Sequence, residues 1–353
     1  NVSSDLIYLT IDNTNPVVSN VGTSAIRSGQ VSVIGGGNNS FLNSTPNSSQ
    51  TLQIQEIYID GSRPEGLTWQ VNEHNQLTIT AGAGEVTNKN ITVKDSAGNW
   101  STSNGQFITI DNTAPILTSV TDRWIRNGES TVINGSGFQS FGGNASAITI
   151  GGKDLKTAVA SGGLGGDFTV NSDTKITVTA GAGEVTRGLV TVTDAVGNVS
   201  NSIKAISIDN TKPAAPEKLW LAYTDSGTDE DNISNDDTPF FNIKGVASSD
   251  SIIVKVSKAG TVNNSVWLGR PSASNGTQTL HWVERTIAIM NNPNAEGYST
   301  YSLLTTNSAP TQLTANGEYT LTAFAVDSAG NESATGAITK YAFDNIGPDD
   351  ASF

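Results

Sequence analysis

IDNTNP at residues 11–16 recurs as IDNTAP at 110–115 and IDNTKP at 208–213, and in looser form as FDNIGP at 343–348. The intervals are 99, 98 and 135 residues (11 to 110, 110 to 208, 208 to 343). Repetition at a domain-sized period is the mark of tandem units. Each phrase closes an apolar-alternating run, such as Phe107-Ile108-Thr109-Ile110 or Ile206-Ser207-Ile208, and leads into a proline. The pattern predicts a last strand, an acidic joint and the entry to the next module. Asp and Asn favour turns by bonding nearby backbone, so Asp111-Asn112 would end a strand with nothing bound. Pro115 fixes its own φ and biases Ala114 toward extended backbone, which makes a stiff interdomain turn.

A second motif, Asp-x-x-Gly-Asn, stands at 95–99 (DSAGN), 194–198 (DAVGN) and 327–331 (DSAGN). Its Asp precedes the following joint Asp by 16, 15 and 17 residues (95 to 111, 194 to 209, 327 to 344). A Gly-containing tight turn followed by a returning strand would bring the two carboxylates together as a hairpin. Paired carboxylates with Asn and main-chain oxygens suit Ca²⁺, and without a cation they would repel. The expected metal ligands are therefore Asp12, Asn13, Asp95, Asn99, Asp111, Asn112, Asp194, Asn198, Asp209, Asn210, Asp327, Asn331 and Asp344. Glu85 and Glu184 hold identical places in two copies of AGAGEVT, at 81–87 and 180–186, as further ligands or as turn caps.

The 353 residues suit three modules better than one sandwich. Hydrophobic residues make up 36% and glycines number 36, which fits short strands and many turns. No apolar run of eighteen residues occurs, so no membrane insertion is expected in this segment. The chain has neither an initiator Met nor a signal-like start, and reads as an excised piece of a longer polypeptide. It has no cysteine, which points to cytosol or to a bacterial exported repeat protein. A formal charge of −14 argues against a nucleic-acid partner.

The strand pattern predicts an all-β array of Ig-like sandwiches. Residues 1–12 read as the last strand of a preceding, truncated repeat, with Asn1 standing where Asn99 and Asn198 stand. That strand would pair with the first full module or complement another copy. Residues 13–112 form the first full module, with strands expected at Val31 and Val33, along Leu52, Ile54, Ile57 and Ile59, and at 77–80, 91–93 and 107–110. Residues 113–210 repeat it. The Gly-rich GGLGGDF (162–168) lacks the lysine and helix of a phosphate loop and reads as a hairpin turn. Residues 211–345 form a larger module, and 346–353 begin the next repeat or a tail.

The larger module opens on DSGTDEDNISNDDTP (225–239). Its Asp225, Asp229, Asp231 and Asp236 are expected to meet the joint at Asp209-Asn210 and share calcium there. A stretch over about 258–315 carries Trp267, Trp282 and Tyr298 among small polar residues. These aromatics either stack on a sugar or protein ligand or fill a larger core.

Together these motifs resemble the Ig-like repeats of giant RTX-type, type I-secreted adhesins of Gram-negative bacteria. The opening and ending of the third module carry the likeness most fully. The first two carry it at the joint and the turn, while their Gly-Ser-Gly-Phe (135–138) is similar to IPT/TIG-type folds. The resemblance implies an extracellular, cell-surface extender stiffened by interdomain Ca²⁺, in contact with neighbouring repeats. Host or surface ligands would be bound by other regions. With only His74 and His281, no cysteine and acids that recur with the repeats, no catalytic centre is expected.

Overall fold

A computed structural model describes residues 11–37, 41–44, 51–73, 75–102, 105–140, 143–221, 233–234, 241–247, 251–258, 261–269, 278–280, 284–285 and 316–344. The chain is all-β, in sandwich modules of two sheets each. In the first, a four-stranded sheet runs in the order Val18–Val21, Val31–Gly36, Gln76–Thr80, Thr68–Glu73. It faces a five-stranded sheet ordered Ala25–Ile26, Phe107–Ile110, Val86–Asp95, Thr51–Ile59, Leu42–Ser44. The second module repeats this plan between Ile116–Val120 and Ile203–Ile208. The third pairs a three-stranded with a six-stranded sheet, the latter running from Ile233–Ser234 to Glu284–Arg285 across the long strands Gly317–Val326 and Ala337–Phe343. Among the described residues no helix is long and apolar enough to cross a membrane.

Three separate apolar clusters fill the modules. The first gathers Ile26, Ile34, Ile57, Ile79, Val93 and Ile108; the second Ile125, Ile133, Ile148, Val178, Val192 and Ile206; the third Ile252, Leu321, Tyr341 and Phe343. Each module has its own core, so the chain between cores is left to do something other than pack.

Two strands depart from the pattern read in the sequence. On Val31–Gly36 the inward residues are Ser32 and Ile34, while Val31 and Val33 lie outside. Ser32 tolerates burial because its hydroxyl oxygen accepts the Thr23 amide. The run Leu52, Ile54, Ile57, Ile59 does not alternate strictly because the register shifts between Ile54 and Glu56, and the bulge turns both Ile54 and Ile57 inward. GGLGGDF is not a hairpin turn. The hairpin is Asp167–Ser172 with Lys175–Thr179, and the glycines precede it. They lie flat on the AGAG segment, where a Cβ on Gly181 would stand 2.2 Å from the Gly165 carbonyl carbon. The AGAG segment of the first module is held the same way, with a Cβ on Gly82 falling 2.3 Å from the Glu65 carbonyl oxygen.

Candidate joint sites between the modules

Every module ends with the same arrangement. A short strand near its start pairs in parallel with the last strand: Ile26 with Ile110, Ile125 with Ile208, Ser234 with Phe343. The last strand therefore delivers the recurring phrase beside the turn that follows the short strand. Within the phrase each residue has a separate partner. Ile110 and Ile208 are buried in their own cores. The Asp folds back on itself, with Asp12, Asp111 and Asp209 Oδ1 accepting the amides of Thr14, Thr113 and Thr211. Asn112 Oδ1 accepts the Ser28 amide and its Nδ2 donates to the Gly82 carbonyl. Asn210 does the same with Asn127 and Gly181.

Glu85 and Glu184 are caps: Glu85 Oε1 accepts the Asn112 amide and the Thr113 hydroxyl, and Glu184 Oε1 accepts those of Asn210 and Thr211. The two copies of AGAGEVT thus clamp the two following phrases, and their glycines let the backbone come close enough to do so.

The Asp-x-x-Gly-Asn turn is built the same way three times. Asp194 Oδ1 accepts the amides of Val196, Gly197 and Asn198, and its Oδ2 accepts Asn198 Nδ2. Asp95 and Asp327 repeat the pattern with Asn99 and Asn331, except that the Gly98 and Gly330 amides donate to the Asp main-chain carbonyls. The turn glycines Gly98, Gly197 and Gly330 have φ of 91°, 98° and 84°, which L side chains adopt only under strain. A third element was missed in the sequence: Ser101, Ser200 and Ser333, two residues past each Asn, accept the amides of Val93, Val192 and Ala325 and close the turn from beneath. Their equal spacing was visible; a serine in a polar stretch gave no reason to single them out.

The turn does not fold back beside its own module's closing Asp. The strand Val86–Asp95 pairs antiparallel with Phe107–Ile110 at its start, Val86 opposite Ile110, so Asp95 lies at the other end. At about 3.4 Å per residue the strand carries it ~30 Å from Asp111. The turn instead meets the preceding phrase. Asn99 Nδ2 donates to the Asp12 carbonyl oxygen at 3.0 Å, Asn198 to Asp111 at 2.9 Å and Asn331 to Asp209 at 2.8 Å.

Around this contact the exit turn of one module lies on the entry turn of the next. Gln30 Nε2 donates to the Val196 carbonyl, and Arg126 Nη1 to that of Gly330. Arg27, at the position matching Arg126, lies by Gly197, with its Nε 3.2 Å from where a Cβ there would stand. Neither arginine was picked out from the sequence, because nothing local marks it.

The middle joint is the most enclosed. Asp194, Asp111 and Asn198 are 1%, 8% and 8% exposed. Burial pushes the Asp111 carboxyl above its ordinary pKa, and the charges of Asp194 and Glu85 push the same way, against the amide of Thr113. Ser140 stands close enough to ease this slightly, although its buried hydroxyl makes no well-formed hydrogen bond.

Among the described residues no group of three or more His, Cys, Asp or Glu side chains is arranged to hold a metal ion. The corner is nonetheless of oxygen chemistry with surplus negative charge, and the orphaned Ser140 oxygen beside Asp111 fits a hard cation. A cation there would draw on Asp111, Asp194, Ser140 and main-chain carbonyls rather than on carboxylates alone. Asn13 lies exposed beside Asp12. Asp344 Oδ1 accepts Asn316 Nδ2 at 3.4 Å, closing the third module.

Of the acidic run, only Ile233 and Ser234 are described. They pair with Ala342 and Phe343, at the exit of the third module. Asp225, Asp229, Asp231 and Asp236 lie outside the described residues, as do Trp282 and Tyr298. Trp267 occupies the strand Thr261–Gly269 opposite Val254.

No known protein family matches the chain, and no curated protein matches it. Among solved structures it is similar to the FN1–FN3 domains of chicken CNTN1, at 11% identity over 94% of this chain and 99% of that one, with a TM-score of 0.35. SGBP-B from a complex xyloglucan utilization locus of Bacteroides uniformis shares 13% identity over 94% and 100%, with a TM-score of 0.23. The BSP domain of a biofilm associated protein shares 13% over 96% and 69%, with a TM-score of 0.19. Likeness this loose says nothing about function.

Proposed function

We propose that the chain is a strut, a run of sandwich modules whose joints fix the direction of each module relative to the one before. The observation that supports it is the same Asn-to-carbonyl clasp at three successive joints, Asn99 on Asp12, Asn198 on Asp111 and Asn331 on Asp209. A flexible linker would need none of this. Here four side chains at each of the joints after Asp111 and Asp209 are committed to holding the connecting backbone in place.

Such a strut suits a secreted bacterial cell-surface protein that projects an adhesive region for attachment or biofilm formation, as the repeat motifs suggested. Type I secretion and contact with a host or surface ligand through other regions belong to the same proposal. So does stiffening by Ca²⁺: burial and the charges of Asp194 and Glu85 disfavour the Asp111 carboxylate, and a divalent cation beside it would offset that. Small-angle scattering of the whole chain with excess Ca²⁺ and with chelator tests both layers. A long, narrow particle in both conditions supports the strut without the metal, and lengthening with Ca²⁺ supports both. A compact or broadly flexible particle in both conditions refutes the strut.

A further inference from the structure

The two 99-residue repeats provide an internal control. Where their folds agree and their outward residues differ, the difference is not required by the fold. One such difference lies on the outer face of the first module's five-stranded sheet. Buried Ile57 and Ile59 alternate with outward Glu56 and Tyr58, and buried Ile91 and Val93 with outward Thr92 and Lys94. Register puts Glu56 opposite Lys94, and Lys94 bridges to Trp100, giving one row across three strands.

Four contacts close these residues into a ring. Tyr58 Oη donates to Glu56 Oε2 at 2.7 Å, and Lys94 Nζ lies 3.6 Å from Glu56 Oε1. Lys94 Nζ also stands 5.4 Å from the Trp100 ring centre, while Tyr58 meets Trp100 edge to face at 5.1 Å between centroids. Trp100 nevertheless remains 43% exposed. In the second module the same register positions carry Ala147, Thr149, Thr193 and Val199. A sandwich of this plan therefore needs neither the aromatics nor the charges.

We propose that this quartet is a glycan-binding site for a chain of β-linked hexopyranoses. Equatorial β-links hold such sugars in an extended ribbon, with C–H groups on the ring faces and hydroxyls along the edge. The rotating α-1,6 link of dextran does not keep its rings in line. An exposed indole offers the apolar partner for the face, and a carboxylate and an ammonium beside it offer an acceptor and a donor for the edge. The residues hold one another in place before any ligand arrives, which lowers the ordering cost of binding. The row crosses three strands of a flat face, ~10 Å at the usual strand spacing. That shape fits an internal stretch of polysaccharide better than a pocket-bound chain end. Lys94 and Trp100 flank the Asp95–Asn99 turn, but none of the four side chains takes part in the clasp, so the site stands or falls apart from the strut.

Affinity electrophoresis of the whole chain tests it, in gels cast with barley β-glucan or xyloglucan, and with α-linked dextran as control. The expected result is retardation in at least one β-linked gel and none in dextran, with Trp100→Val weakening it at least tenfold. Glu56→Ala and Lys94→Thr, which leave the indole in place, would each weaken it severalfold and guard against a folding defect in the Trp100 variant. No retardation in any β-linked gel, equal retardation in dextran, or binding unchanged in all three variants would overturn the proposal.

Discussion

The side-chain amide of Asn198 lies 2.9 Å from the main-chain carbonyl oxygen of Asp111, 87 residues earlier in the chain. The same nitrogen donates to Asp194 Oδ2 at 2.9 Å, so one amide ties a turn of the second module to the backbone that leaves the first. Both acceptors are buried with it. Asn198→Ala leaves them without this donor, which costs about 1–3 kcal/mol for buried polar groups. Urea unfolding should show that loss. Val199→Ala, next to it but 55% exposed, should change stability by less than ~0.5 kcal/mol.

The glycines of the joint divide into two kinds. A Cβ on Gly82 would meet backbone atoms of Glu65 and Gly66 at 2.3–2.4 Å, so Gly82→Ala must displace the segment that receives Asn112. Overpacking of this kind costs about 1–3 kcal/mol. Gly98 has nothing within 4 Å, and Gly98→Ala meets only the backbone strain of φ 91°, roughly 1–2 kcal/mol. Thermal unfolding compares the totals. Amide exchange separates the mechanisms: Gly82→Ala exposes the Asn112 amide, and Gly98→Ala leaves it protected.

Much of this was legible in the sequence. The recurring phrase and turn stand where the three clasps form, and most of the alternating runs are strands. What failed was the inference from chain proximity to spatial proximity. Asp95 and Asp111 are 16 residues apart in sequence (95 to 111), but a long antiparallel strand separates them in space, while Asn198 reaches Asp111 from the next repeat. The exit of one module and the entry of the next are distant in the sequence, and no local signal links them. Arg27, Gln30 and Arg126 were invisible for that reason. The inward face of Val31–Gly36 was misread because two valines flank a serine, and hydrophobicity alone chooses the valines.

The raised pKa of Asp111 gives the middle joint a pH dependence. Above the ordinary carboxylate value of 3.8, the folded joint binds a proton that the unfolded chain has released. Stability therefore falls as pH rises through the window between 3.8 and the raised value, and the favourable contribution is complete only below it. The groups facing Asp111 are Asp194, Glu85 and Thr113. Asp111→Asn should flatten this part of the profile, and Glu85→Gln should reduce it. Chemical unfolding at intervals from pH 4 to pH 7 reads both.

The proposed calcium would act on the same corner. If it binds the native joint and not the unfolded chain, the unfolding midpoint rises with the logarithm of its concentration. The expected outcome is such a rise in the wild type and its loss in Asp111→Asn. Calorimetry over a calcium series checks it, and a midpoint indifferent to calcium removes the metal from the account without touching the clasp.

The clasp itself is tested by measuring how firmly it holds one module against the next. The chain has no cysteine, so a single pair can be introduced at Gln76 and Lys175, exposed and at matching places in the first and second modules. Pulsed electron–electron spin resonance between nitroxides at these sites gives the distribution of distances across the joint. One narrow distribution in the wild type, broadened by Asn198→Ala, is the predicted result. A broad distribution in the wild type, or one that Asn198→Ala leaves unchanged, would contradict the claim that these joints set the direction of the chain.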